Sequence, residues 1–132
     1  ESWKWVFENG EEDIFEDLWP LAKDISGVIH SFTASKKQVL EARKHGLLFG
    51  LNGIITFTKD KNLLEAVRAM KLEEILLETD APFLTPTPYR GKINEPKYLS
   101  KIAEAVAEIR GESVETVAET TTINAQKLFG RR

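Results

Sequence analysis

Three short apolar runs in this chain each lead to residues able to do chemistry. Val28 and Ile29 lead to His30, residues 47–51 lead to Asn52 and Gly53, and residues 75–77 lead to Glu78, Thr79 and Asp80. A neutral imidazole at His30 can ligate a metal or move a proton; the alternative is a buried histidine hydrogen-bonded to backbone. Asp80 closes an apolar run and precedes Ala81 and Pro82. A carboxylate at a buried strand end needs a partner, because unpaired burial is costly, and a divalent metal would supply one. The alternative is an aspartate that caps the following turn. Glu78 should share a face with Asp80 if the strand stays regular. The two carboxylates then point to a site, although Glu78 could equally form an ion pair. Arg90 and Lys92 flank Gly91 close to a predicted helix start at Glu95. That environment suits a phosphate, and cations in loops also serve plain solubility. His45, beside Gly46 at a predicted helix end, reads as structural, since the helix dipole favours a partly charged imidazole there.

The elements that must position these residues alternate between two hydrophobic periods. Residues 27–31, 47–51 and 75–79 read as buried strands. Residues 36–45 read as a helix with Ser35 as N-cap and Gly46 as its end. Residues 58 or 59 to 70 form a second patterned helix, and residues 95–110 a third, with Pro96 in its first turn. Residues 80–94 must be a loop longer than a compact connection usually needs, and long ordered loops are often functional. Residues 114–119 and 123–129 read as two short closing helices, with Ser113 and Thr121 or Thr122 as caps. Residues 11–23 read as an acidic amphipathic helix stopped near Pro20. Strand and helix in this order predict an α/β fold, a parallel sheet with helical crossovers. In such sheets the working residues sit at the carboxyl ends of strands. Residues 1–10 stand apart: Trp3, Trp5 and Phe7 alternate with polar residues before Asn9 and Gly10.

Composition narrows the function classes. The 132 residues include no cysteine, 18 Lys and Arg, and 21 Asp and Glu, for a net charge of -3. One domain spanning residues 1–132 is expected, and the length falls short of the about 250 residues of a complete eight-strand α/β barrel. Without cysteine there is no disulfide framework, thiolate zinc site or cysteine nucleophile, which fits a reducing, cytoplasmic setting. No apolar run reaches the roughly 18 residues of a membrane span, and the first residues lack the features of a signal peptide. A pI near 5.5 argues against a protein that coats nucleic acid by bulk charge, while leaving room for a local basic patch.

Four segments together resemble one family. Gly27-Val-Ile-His-Ser-Phe-Thr-Ala-Ser35, Glu78-Thr-Asp-Ala-Pro-Phe-Leu84, Pro88-Tyr-Arg-Gly-Lys-Ile-Asn-Glu-Pro96 and Thr122-Ile-Asn-Ala-Gln-Lys-Leu-Phe129 are similar, in order and spacing, to the TatD family of metal-dependent deoxyribonucleases. The resemblance runs from about Ile14 to Phe129, so that residues 11–132 match the family and residues 1–10 do not. It implies a (β/α)8 TIM-type barrel of the amidohydrolase-like group, of which this chain carries the C-terminal half. It implies metal-assisted hydrolysis of phosphodiester bonds in DNA, with His30 and Asp80 as metal ligands, Asp80 also taking a proton from the attacking water, and Arg90 and Lys92 lining the substrate cleft. Glu78 matches a family-typical residue and is not assigned as a ligand.

The family's His-x-His pair, bridging glutamate and His-x-Arg segment do not occur here, and the only histidines are His30 and His45. Mg2+, Mn2+ or Zn2+ held by His30 and Asp80 alone would be weakly bound and mostly hydrated. The partners expected are therefore DNA as substrate and either a second copy in a homodimer or a missing N-terminal half. The alternative function is a non-catalytic half-barrel that dimerises or binds a partner protein through its open sheet edges. The same barrel type also hosts other ester hydrolyses.

Overall fold

A computed structural model of the chain describes residues 19–23 and 25–130. Three parallel strands, β1 (Val28–Ile29), β2 (Leu48–Leu51) and β3 (Ile75–Leu77), form one sheet in the order β1-β2-β3. Val28 pairs with Leu48, Phe49 with Ile75 and Leu51 with Leu77. Helix α1 (Lys36–Lys44) makes the first crossover and α2 (Lys61–Ala69) the second; α3 (Leu99–Arg110) and α4 (Val114–Phe129) follow β3. Strands laid down in sequence order, each beside the last, are wound in one direction. A barrel needs that winding, whereas a doubly wound sheet reverses it.

The sheet alternates faces along β2. Phe49 and Leu51 are fully buried and belong to the core with Val39, Val67, Ile102, Val106 and Val117 from the helices. Gly50, between them, faces the opposite side of the pleat. The outer strands are shorter than predicted: β1 ends at Ile29 and β3 at Leu77, and the chain then turns through left-handed residues, Ser31 at φ 52° and Asp80 at φ 57°, conformations outside the extended region.

The helices start and stop for local reasons. Gln38 accepts a hydrogen bond from Ser35 N at the start of α1 (3.2 Å). At α2, Asp60 rather than Thr58 or Lys59 marks the boundary, because its carboxylate accepts from Asn62 N (2.9 Å). One helical turn, Pro96–Tyr98, precedes α3, and Gly111 ends α3 at φ 70°. The two closing helices predicted from sequence are one continuous helix, α4. Ser113 caps it, accepting from Thr116 N (3.1 Å), but Thr121 and Thr122 are not caps. Their hydroxyls turn back onto Val117 O (2.8 Å) and Ala118 O (2.7 Å), satisfying polar groups that would otherwise favour a break. Val117, Thr121 and Asn124 then share one buried face. Asn124 Nδ2 donates to both Leu72 O and Ile75 O (2.9 Å each), pinning α4 beneath β3.

Most of the predicted helix over residues 11–23, and the aromatic segment at residues 3–7, lie outside the described residues. Residues 19–23 form turns, with Ala22 N donating to Trp19 O (3.2 Å). The Trp19 ring stacks on His45 at 5.4 Å and 7°, so His45 has the structural place expected of it. No helix among the described residues is long and apolar enough to cross a membrane.

One ion pair ties the helical layer together. Arg43, in the last turn of α1, donates to Glu74 Oε1 (2.6 Å), to Glu74 Oε2 (2.9 Å) and to Ala69 O (2.9 Å). Burial works to raise the pKa of Glu74, but the Arg43 guanidinium and the Lys71 N–H overcome it and hold the carboxyl below its usual 4.5. A depressed carboxyl pKa stabilises the fold above the unfolded-state value, and that stability is lost as pH falls through the folded-state value. Arg43→Met is expected to lower stability by about 1–2 kcal/mol at neutral pH and to flatten the acid side of the stability profile. Urea melts between pH 3 and 7 that differ from wild type by a constant offset would contradict the assignment.

Candidate metal centre

Each candidate side chain is delivered by the carboxyl end of a strand. His30 follows β1, Asn52 follows β2, and Glu78 and Asp80 follow β3. The strand does not stay regular beyond Leu77, so Glu78 and Asp80 do not share a strand face. Instead they take opposite nitrogens of one imidazole. Glu78 Oε2 lies 2.9 Å from His30 Nδ1, and Asp80 Oδ1 lies 3.5 Å from His30 Nε2. The His30 ring is 62 % exposed, which excludes the buried, backbone-bonded alternative.

Glu78 is itself held. Its Oε1 accepts from Ser31 N (2.6 Å), and Ser31 Oγ accepts from Asn52 Nδ2 (2.8 Å). Asn52 is buried, and its Oδ1 caps the turn Gly53–Thr56 by accepting from Ile54 N (3.1 Å). The space for the Glu78 carboxylate comes from Gly50, since a β-carbon there would overlap Glu78 Oε2 and stand 2.7 Å from its carboxyl carbon. The Glu78 hydrogen bond is the main cause of a His30 pKa above its ordinary 6.5; partial burial opposes it, and the charges of Glu78 and Asp80 add to it.

The loop after β3 is tied down throughout. Phe83 N donates to Asp80 O (2.8 Å) and Thr87 N to Thr56 Oγ1 (2.9 Å). Thr85 Oγ1 donates to Lys92 O (2.6 Å). Arg90 donates to Thr85 O (2.8 Å) while its guanidinium covers the Phe57 ring at 3.9 Å. Lys92 Nζ lies 5.8 Å from the Tyr89 ring centre, and Tyr89 stacks on Tyr98 at 4.4 Å. The structure thus brings His30, Glu78 and Asp80 together, and places Arg90 and Lys92 on the far limb of the same loop with partners of their own. Ser31, Asp80 and Leu84 are the positive-φ residues other than glycine among the described residues, and all three lie in the segments that build this site. Such outliers gather where function over-determines the backbone.

The donors suit a divalent ion. Two ligands about 2.1 Å from one metal at tetrahedral or octahedral angles stand roughly 3.0–3.4 Å apart, close to the 3.5 Å between His30 Nε2 and Asp80 Oδ1. Both Glu78 carboxylate oxygens are engaged, one by Ser31 N and one by His30 Nδ1, the arrangement of a group that orients a ligand. Among the described residues no three His, Asp or Glu side chains are arranged to hold a metal, so His30 and Asp80 would supply two donors to any ion bound there. The sequence left Glu78 between a shared carboxylate site and an ion pair, and the structure pairs it with His30; Gly50 was missed, although a glycine inside an apolar strand signals close approach. Asn94, whose part is described below, was missed as well.

The chain is similar to known proteins over nearly its whole length. The profile described as TatD related DNase matches residues 8–130. An uncharacterized metal-dependent hydrolase of Bacillus subtilis, YabD, is 38% identical over 122 residues, covering 89% of this chain and 48% of its own length. A Mycobacterium tuberculosis hydrolase named TatD, likewise uncharacterized and metal-dependent, is 39% identical over 120 residues, covering 91% of this chain and 46% of its own. The chain therefore spans about half the length of the curated relatives it matches. Among solved structures, the Escherichia coli TatD homologue YJJV superposes with a TM-score of 0.74 at 27% identity, over 80% of this chain and 41% of that one. A TatD family hydrolase of Entamoeba histolytica gives 0.75 at 19% identity, over 86% and 47%, a likeness of fold alone. The sheet is thus part of a TIM-type barrel, and with the profile covering nearly the whole chain and relatives named as metal-dependent hydrolases, the chain belongs to the TatD-related DNase family.

Proposed function

We propose that this chain carries the C-terminal part of a metal-dependent phosphodiesterase acting on DNA. The reading rests on the 3.5 Å gap between His30 Nε2 and Asp80 Oδ1, with the other nitrogen of the same ring committed to Glu78. An imidazole and a carboxylate suit Mg2+, Mn2+ or Zn2+. When bound, such an ion supplies a water of lowered pKa and positive charge against the phosphoryl oxygens. Glu78 keeps a proton on Nδ1, so that the lone pair of Nε2 faces outward. Asp80 offers one oxygen as ligand and the other as acceptor for the proton of the attacking water. Arg90, anchored on Thr85 and Phe57, has N–H groups left for a flanking phosphate, and Lys92 adds a second cation. Two protein donors hold an ion weakly, and the longer relatives have the length to supply more. A cysteine-free, slightly acidic chain fits this work in the cytoplasm.

The test is cleavage of single-stranded DNA by the chain in Mn2+, beside Asp80→Asn. The substitution is expected to slow cleavage by about 100-fold or more and to reduce Mn2+ uptake in calorimetry. Equal rates for the two proteins, or cleavage that survives EDTA, would sink the assignment.

A second reading has its own support. β1 and β3 each have a single neighbour among the described strands, and an apolar groove of about 490 Å³ runs beside Leu77 between α3 and α4. A half-barrel that pairs with another copy or a complementary half would cover both. A dimer in sedimentation that takes up no Mn2+ would favour it.

A further inference from the structure

Asp80 reaches His30 from a backbone conformation few residues adopt, φ 57°. Aspartate tolerates the left-handed region better than most residues but does not prefer it. The two backbone rotations of a residue are the settings of its two flanking peptide planes. Both planes at Asp80 are held by a carbonyl. Phe83 N takes the carbonyl of Asp80 itself at 2.8 Å. Asn94 Nδ2 takes the carbonyl of Thr79 at 2.6 Å, and its second hydrogen takes Phe83 O, also at 2.6 Å. Asn94 N donates to Pro82 O at 3.0 Å. One side chain from the far limb of the loop thus closes the turn over residues 79–83.

Asn94 is 3 % exposed, so these bonds do not compete with water. Two carbonyls oblige the NH2 group, not the oxygen, to face them. The cost is visible at Oδ1, which is buried with no partner among the described residues. A buried oxygen left unpaired is unfavourable, and it is tolerated here where both donors of the same amide are used on the turn that carries Asp80.

We infer that Asn94 is a positioning residue: its amide clamps the Thr79–Asp80 peptide and so sets the conformation that aims the Asp80 carboxylate at His30. Its consequence for metal affinity rests on the proposed metal site; its consequence for the backbone does not.

The test uses NMR on the whole chain and on Asn94→Asp, which keeps the size and loses the donors, and Asn94→Ala, with Mn2+ affinity read by electron paramagnetic resonance. In wild type, Asp80 should show the strong intraresidue amide-to-Hα Overhauser effect of a positive φ, and the Asn94 side-chain protons should exchange slowly. In the variants that effect should fade and Mn2+ affinity should drop about ten-fold or more, while the Ser31 amide, held by Glu78, keeps its shift. An unchanged Asp80 signal and affinity in a folded variant would overturn the inference. So would fast exchange of the Asn94 side-chain protons in wild type, a measurement that stands even if both variants fail to fold. If wild type binds no Mn2+ yet Asp80 loses its signal in the variants, the positioning role holds and the metal reading falls.

Discussion

Gly53→Ala is expected to displace the loop that carries Asp80 and to cost about 3 kcal/mol or more of stability. A β-carbon at Gly53 would overlap Leu84 O and stand 3.0 Å from the Leu84 carbonyl carbon and 3.3 Å from Pro86 N. All three atoms are backbone, so no side chain can rotate away. Neither partner is free to yield. Leu84 is already left-handed at φ 53°, and Thr85, next to it, is buried and bonded to Lys92 O. On the other side, Gly53 opens a turn capped by Asn52, and Asn52 holds Ser31 beside His30. Movement of either partner therefore disturbs the site. Urea denaturation measures the first effect and Mn2+ calorimetry the second; a variant within 1 kcal/mol of wild type that binds Mn2+ normally would refute the close approach. Gly50→Ala makes the contrast. There the clash is with the end of the Glu78 side chain, which can swing aside, so the fold should largely survive while His30 loses its partner.

Glu78→Gln is expected to reduce metal affinity about 10–100-fold with little change in fold. The carboxylate accepts from two donors, Ser31 N and His30 Nδ1. A glutamine has one oxygen for the two of them. If that oxygen stays on Ser31 N, its NH2 faces Nδ1, and the imidazole proton must move to Nε2. Nε2 would then donate to Asp80 instead of offering a lone pair to a metal. Nitrogen-15 shifts of the His30 ring distinguish the tautomers directly.

The pH dependence follows from the same contact. In wild type the Glu78 bond raises the His30 pKa above 6.5, so protons compete with metal until the pH passes that raised value, and affinity climbs through it. The stabilisation from the charged pair runs the other way: complete below the unfolded-state pKa of 6.5, lost as pH rises through the folded-state value. Glu78→Gln should bring the His30 titration midpoint down. A midpoint that stays put would mean Glu78 does not govern the ring.

The strands, the crossover helices and the long loop were legible from period and punctuation, because a buried strand or an amphipathic helix writes its hydrophobic pattern locally. The closing helix was misread for the same reason. Thr121 and Thr122 look like caps when read locally, and only the packed helix shows their hydroxyls bonded back to Val117 and Ala118, with Asn124 fixed under β3.

His30 and Asp80 stood out in the sequence as polar residues ending apolar runs, a pattern that burial cost makes conspicuous, and the family was legible in four spaced motifs. Their mutual geometry was not. That Glu78 and Asp80 grip opposite nitrogens of one ring, that Gly50 leaves room for a carboxylate 28 residues later in the chain, and that Asn94 sets the backbone of Asp80 are contacts between segments distant in sequence. Residue type states what a side chain can do. Only the register of the sheet and the closure of the loop decide which partner it meets, because distances of 2.6 to 3.5 Å between such segments are set by packing.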